Sequence, residues 1–192
     1  SLCIEKSNDK YYYYINYSNL RDSNNFKYKY NNEVRENIHS FTEGQTLISN
    51  FSYLLNKKSV LQFNYWNTNL FREVPGNITV PNSTAEQTDN SERYLFTLFN
   101  SFKGLKFKLN HALLYDNLYY IDLPKQINSF YEGITNISEF NLDYNHKKIF
   151  TNFNLSSLKN DLKNSSYEDL RKSDLTNSVY TSISYHSEIL TN

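Results

Sequence analysis

Polar reversals of two sizes alternate along this chain, and no other feature restricts its fold as much. Short ones at Ser7 to Lys10, Asn56 to Ser59, Lys103-Gly104 and His146-Lys147 take turns with long polar stretches at about 21–40, 73–90, 122–133 and 161–175. Between them the hydrophobic period is two, the signature of strands, and not 3.6. Leu61, Phe63 and Tyr65 alternate with Gln62, Asn64 and Trp66, and Leu105, Phe107 and Leu109 with Lys106, Lys108 and Asn110. Phe140, Leu142 and Tyr144 alternate with Glu139, Asn141 and Asp143 in the same way. The pattern predicts an all-β fold, an antiparallel meander of about nine long strands near 1–6, 10–20, 41–55, 60–72, 91–102, 105–121, 134–145, 148–160 and 176–190.

A regular succession of tight and long connections has a physical cause in a transmembrane β-barrel. Reversals on one side need only turn the chain, while those on the outer side carry recognition. A hydrocarbon slab also requires every backbone N–H and C=O to be paired within the protein, which a closed barrel achieves. The expectation is therefore an open portion of such a barrel, a single partial barrel domain over residues 1–192. Phe63, Tyr65, Phe107, Leu109, Phe140 and Leu142 are expected toward lipid, and Gln62, Asn64, Lys106, Lys108, Glu139 and Asn141 toward a hydrated or plugged interior. Tyr11 to Tyr14, Tyr65-Trp66 and Tyr119-Tyr120 suit the aromatic girdles at the two membrane surfaces, because these rings are apolar in body and wet at one tip. The absence of methionine reads as a piece cut from a longer protein.

Charge and motif content narrow the function classes. Lys+Arg and Asp+Glu both number 20, so no basic field is available to attract nucleic acid. Cys3 is alone and can form neither an internal disulfide nor a cysteine-rich metal site. No run of about 18 apolar residues exists, so no helical membrane span is expected. His39, His111, His146 and His186 fall into no catalytic arrangement, and the glycine-rich phosphate loops and the H-E-x-x-H and G-x-S-x-G motifs are missing. Neither an enzyme nor a cofactor nor a metal site is expected. The run Tyr167 to Ser173 reads as a solvated outer loop.

From Phe63 to Asp122 the sequence resembles the barrel of a TonB-dependent outer-membrane receptor of the Bacteroidetes type, including chains labelled cobalamin-transporter-like. A strand ending in aromatic and amide residues leads into Arg72, Glu73, Val74 and Pro75. A small and polar loop with Ala85, Glu86, Gln87 and Asp89 follows, then a strand bearing Arg93. The resemblance implies an outer-membrane location and import of a scarce small nutrient, such as a siderophore or corrinoid. It also implies contact with outer-membrane lipid and energy relayed by TonB through a plug region to which nothing here corresponds. Ligand contacts are expected at Trp66, Arg72 and Glu73 before the second long loop, Arg93 after it, and Tyr131 in the third. Arg offers bidentate hydrogen bonds to carboxylate or phosphate, and Trp a flat stacking surface. The arginines and Glu73 could equally pair across neighbouring strands. A porin-like barrel and a secreted all-β module holding glycans on Tyr and Trp platforms remain open on sequence alone.

Overall fold

A computed structural model of the protein describes residues 1–185 except 24, 38, 77–83, 147 and 165–169. The strands in chain order are β1 (Leu2–Ser7), β2 (Tyr11–Asp22), β3 (Phe26–Tyr30), β4 (Glu33–Asn37), β5 (Thr42–Asn56), β6 (Ser59–Val74), β7 (Ala85–Phe102), β8 (Leu105–Asp122), β9 (Ile127–His146), β10 (Ile149–Asn164) and β11 (Leu170–Tyr185). All but β3 and β4 form one nine-stranded antiparallel sheet, each strand beside its neighbour in the order β1-β2-β5-β6-β7-β8-β9-β10-β11. The fold is thus an all-β meander of nine strands. Among the described residues β1 and β11 each have a partner strand on one side only, so the sheet they bound is open.

Local chemistry explains the reversals. The Asn8 side chain accepts hydrogen bonds from the backbone N–H groups of Lys10 (2.8 Å) and Tyr11 (2.9 Å), and Asn56 holds Lys58 N–H at 2.9 Å. Between β7 and β8, Lys103 and Gly104 take φ of 46° and 83°, the paired positive values of a two-residue hairpin that matches strand twist. A Cβ at Gly104 would run into the carbonyl oxygen of Asn145. A register shift between Leu54 and Asn56 absorbs Leu55 as a bulge before the next turn.

All four of the long polar stretches hold more strand than the sequence expectation, and in 73–90 the reason is that β7 begins at Ala85. Residues 21–40 contain the hairpin β3–β4, closed by Asn31 and Asn32 with φ of 49° and 64°. Residues 122–133 are mostly strand: β8 and β9 are joined by a short 3-10 turn at Leu123–Lys125 and by Gln126 at φ 56°. The stretch 161–175 is paired from Asp161↔Ser173 to Asn164↔Leu170, which makes most of the Tyr167 to Ser173 run either strand or outside the described residues. Along Ala85–Asn90 and Asp161–Asn164 both faces are mostly polar, so period-two alternation has little contrast and the strand reads as loop, whereas β3 does alternate Phe26, Tyr28 and Tyr30 with Lys27 and Lys29 and is short.

Residues directly opposite one another share a face, so the registers define rows across the sheet. One row is Tyr11, Tyr53, Leu61, Leu98, Leu109, Phe140, Leu155 and Val179. The row beside it, on the other face, is Tyr12, Ser52, Gln62, Thr97, Asn110, Glu139, Ser156 and Ser178. The six residues expected toward lipid all share the first face, and the six expected toward the interior all share the second. Alternation divides the aromatic pairs. Tyr11 and Tyr13 stack at 6.3 Å on the apolar face, whereas Tyr12 and Tyr14 lie on the polar one, as Trp66 and Tyr120 do opposite to Tyr65 and Tyr119.

The apolar band crosses the rows at a slant. Its edge toward the long connections is Tyr17 on β2, Leu47 on β5, Tyr65 on β6 and Tyr94 on β7. On β9 and β10 it has receded to Phe140 and Leu155, and the rows level with Phe63 and Tyr65 there carry Asn136, Ser138, Ser157 and Lys159, with Asn177 and Leu175 continuing them on β11. Beyond the edge the same face holds a row of amides: Asn19, Gln45, Asn69, Asn90 and Asn117.

Neither face is covered by a second layer among the described residues. Ala85 is their one buried hydrophobic residue, and the accessible surface is 13998 Å². A compact globule of the same 22.8 kDa mass would expose about 9,600 Å².

Candidate functional site

The two halves of the polar face differ in chemistry. Toward the tight turns it is a ladder of amides and hydroxyls: Thr97 Oγ1 donates to Asn110 Oδ1 at 3.0 Å, Asn110 Nδ2 to Glu139 Oε2 at 3.2 Å, and Asn152 Nδ2 to Asp143 Oδ1 at 2.6 Å. Asn154 donates to Asn141 in the same way. Toward the long connections, aromatic rings and ion pairs take over on β6 to β9.

Trp66 and Arg93 are register partners on that face. The indole is exposed at 52% and its Nε1–H donates to Thr68 Oγ1 at 2.7 Å, which fixes the ring's orientation. The Arg93 guanidinium makes three hydrogen bonds. Nη2 meets Asp116 Oδ1 at 2.5 Å and Nη1 donates to the carbonyls of Glu92 at 3.1 Å and Tyr115 at 3.0 Å. Ser91 Oγ donates to the same Asp116 oxygen at 2.8 Å. Farther toward the long connections, four to six residues along β6 and β7, Arg72 Nη2 meets Asp89 Oδ2 at 2.8 Å, and Gln87 Nε2 donates to both oxygens of Asp89 at 2.9 and 3.1 Å. Both arginines are half-exposed, so each pair is worth about a kcal/mol or less in stability and acts mainly by orienting its members.

Tyr131 lies on the same face of β9, and its ring covers Gly133. A Cβ at position 133 would come within 2.8 Å of the tyrosine hydroxyl. The ring forms one wall of an open cleft of roughly 310 Å³ that Thr135, Asn160, Leu162, Lys172 and Asp174 also line. At the end of this strand pair, Lys125 Nζ lies 2.8 Å from the carboxylate of Asp122, which is nearly buried. That hydrogen bond and charge hold the Lys125 ammonium above the ordinary lysine range.

The structure therefore places four of the residues singled out from sequence, Trp66, Arg72, Arg93 and Tyr131, on one face, and of these it makes only Trp66 and Arg93 register partners. Glu73 is not with them. It follows Arg72 directly in a strand and so points to the opposite face. There its carboxylate accepts from Phe41 N–H at 2.8 Å and lies 3.4 Å from His39 Nδ1, while His39 Nε2 is 2.9 Å from the carbonyl oxygen of Ala85. Glu73 ties the chain entering β5 to the ends of β6 and β7.

No family model matches the chain, and no curated protein matches it. The site must be read from its own chemistry. Ser91, Thr68 and Asp116 were not expected in it. A signal for Asp116 did exist, since it shares the parity of Lys106, Lys108 and Asn110 on the polar side of β8, but its meeting with Arg93 depends on the β7–β8 register. Among the described residues, no group of three or more His, Cys, Asp or Glu side chains is placed to hold a metal ion. His111 Nδ1 contacts Ser138 Oγ at 3.0 Å, and the His146 ring stacks on Tyr144 at 6.1 Å.

Proposed function

We propose that this chain is a portion of the barrel of an outer-membrane receptor of the TonB-dependent type, which binds a scarce nutrient from outside the cell and imports it with energy relayed by TonB. The observation that carries the reading is the pair of adjacent rows, wholly apolar or tyrosine on one face and almost wholly hydroxyl, amide or carboxylate on the other, across eight strands. A sheet with no second layer leaves its apolar face to be covered by something else, and a lipid slab covers it without a partner chain.

Two further features support a membrane over a soluble partner. The slant of the apolar band is what strands tilted by about 35–45° produce, because a line of constant depth then crosses the register obliquely. The apolar stretches, such as 94–102 on β7 and 105–115 on β8, have the length a tilted strand needs to cross the hydrocarbon, about 9–11 residues. Tyr65, Tyr94 and Tyr115 close the band as a contiguous cluster, with centroids 5.0 Å and 6.3 Å apart, as an interfacial girdle does. On this reading the polar face is the interior, and its ion-paired half lies on the outer side, where ligand enters. The resemblance at Arg72, Glu73, Val74 and Pro75 supplies the TonB-dependent class.

Nitroxide labels at positions 107 and 108 of the protein in lipid vesicles test the embedding. Position 107 should be relaxed by oxygen dissolved in the bilayer and position 108 by a water-soluble reagent. Equal accessibility removes the barrel reading. Energy coupling is tested by uptake in cells carrying the intact receptor with and without TonB, and uptake that persists without TonB points to a porin-like barrel.

A further inference from the structure

We propose that the outer half of the polar face binds a neutral, polyhydroxylated ligand, a short sugar chain, and not an anionic chelate. The proposal rests on the receptor reading above and deepens it.

An anion-binding site needs positive charge in excess of negative, and on this surface each strand cation already has a carboxylate beside it. Among the described residues, the strand cations on the loop-side half of the polar face are each matched by a carboxylate, Arg72 by Asp89 at 2.8 Å, Arg93 by Asp116 at 2.5 Å and Lys172 by Asp174 at 3.3 Å, as Lys125 in the β8–β9 turn is by Asp122 at 2.8 Å. Arg93 also donates to two backbone carbonyls. An incoming carboxylate or phosphate would have to displace an existing partner and then face the carboxylate it displaced.

The same arrangement suits hydroxyl groups. A sugar hydroxyl is at once donor and acceptor, and a guanidinium beside a carboxylate presents both roles side by side. Gln87 and Ser91 add an amide and a hydroxyl next to the two carboxylates. The apolar C–H face of a sugar ring needs a flat, rigid, exposed partner. Trp66 is such a surface, its orientation already set by the hydrogen bond to Thr68, so little side-chain entropy is lost on binding. Trp66 on β6 and Tyr131 on β9 are three strand spacings and four residues of offset apart, roughly 20 Å on the diagonal, which is the span of a short chain of rings and not of one.

Trp66 is the only tryptophan in the chain, so intrinsic fluorescence reports on this site alone. The protein in detergent micelles is titrated with maltohexaose, cellohexaose and xylohexaose, and separately with citrate and a ferric catecholate. At least one oligosaccharide should give a saturable change in Trp66 emission that added salt leaves unaltered, and the anions should give none. By calorimetry, Trp66→Ala and Asp116→Asn should each weaken that binding about tenfold. Trp66→Phe, which keeps a stacking surface, should weaken it less. No response to any of the three oligosaccharides overturns the proposal, and so does saturable anion binding that Asp116→Asn strengthens. The labels at 107 and 108 in the same preparation separate the two levels. A protein that embeds its apolar face yet ignores sugars refutes the ligand class alone, whereas one that fails to embed refutes the receptor reading whatever the sugars do.

Discussion

The tight-turn half and the loop half of the same strands are built on opposite principles. In the first, faces differ and neighbouring strands agree along the Leu109–Phe140 and Asn110–Glu139 rows, although at the β6–β7 end Ser59 and Asn100 stand on the apolar face and Val60 and Phe99 on the polar one. In the second, faces agree and strands differ. Both sides are polar, with Asn69, Asn90 and Asn117 on one and Arg72, Asp89 and Asp116 on the other, and specific pairs between neighbouring strands replace the general division. A strand whose environment is oil on one side and water on the other must segregate, while one that stands in water on both sides is free to carry recognition. What holds the loop half in register is the ladder continuing from below, so its side chains can be chosen for chemistry.

The largest effect that would break this comparison comes from charge on the apolar face. Phe107→Arg should cost about 2–4 kcal/mol of folding free energy in vesicles if that position lies near the midplane, while Lys108→Arg should stay within about 0.5 kcal/mol. Urea titration in lipid measures both, and equal costs would mean that the two faces meet the same medium.

A backbone substitution sharpens the contrast between the two ends. Gly104→Ala places a Cβ against the Asn145 carbonyl at a φ of 83°, so a loss of about 1–3 kcal/mol is expected in the same titration. Gly133→Ala meets only the far end of the Tyr131 ring, which can swing aside. It should cost less than about 1 kcal/mol and register instead as altered ring packing at Tyr131 in fluorine spectra of the fluorotyrosine-labelled protein.

Arg93→Ala removes one member of a half-exposed pair and leaves Asp116 with Ser91. The cost to stability should be about 1 kcal/mol, and amide exchange should rise at 91–94 and 114–117 without spreading to the tight turns. Spread into the tight-turn half would show that the two halves fold as one unit.

The smallest effect concerns acid. Hydrogen bonds from Lys159 and then Ser173 hold the Asp161 carboxyl below its usual range. A value lowered by folding means that the contribution is complete above the ordinary carboxylate range and fades as pH falls through the lowered one. Amide protection at 160–163 and 171–174 should therefore weaken at the acid end of a titration, while protection at 105–110 and 139–144 is unmoved. A uniform change across the sheet would contradict this.

The tight-turn half was legible in the sequence because each of its strands carries its own environment in its alternation. Phe107 beside Lys108 states that the two sides differ before any partner strand is known, and Asn8, Asn56 and Lys103-Gly104 mark their turns by chemistry that acts within a few residues. Local information determined the all-β class, the order of the nine strands and which residues share a face. Tertiary structure alone decided the rest. That Arg93 meets Asp116, that Arg72 meets Asp89, that Tyr131 covers Gly133 and that Glu73 turns away to Phe41 and His39 all depend on register between strands and on the single-residue step that reverses a side chain's face. Polar strands give no alternation from which that register can be read, so the side-chain pairs of the loop half become visible only when the hydrogen bonds between strands are in place.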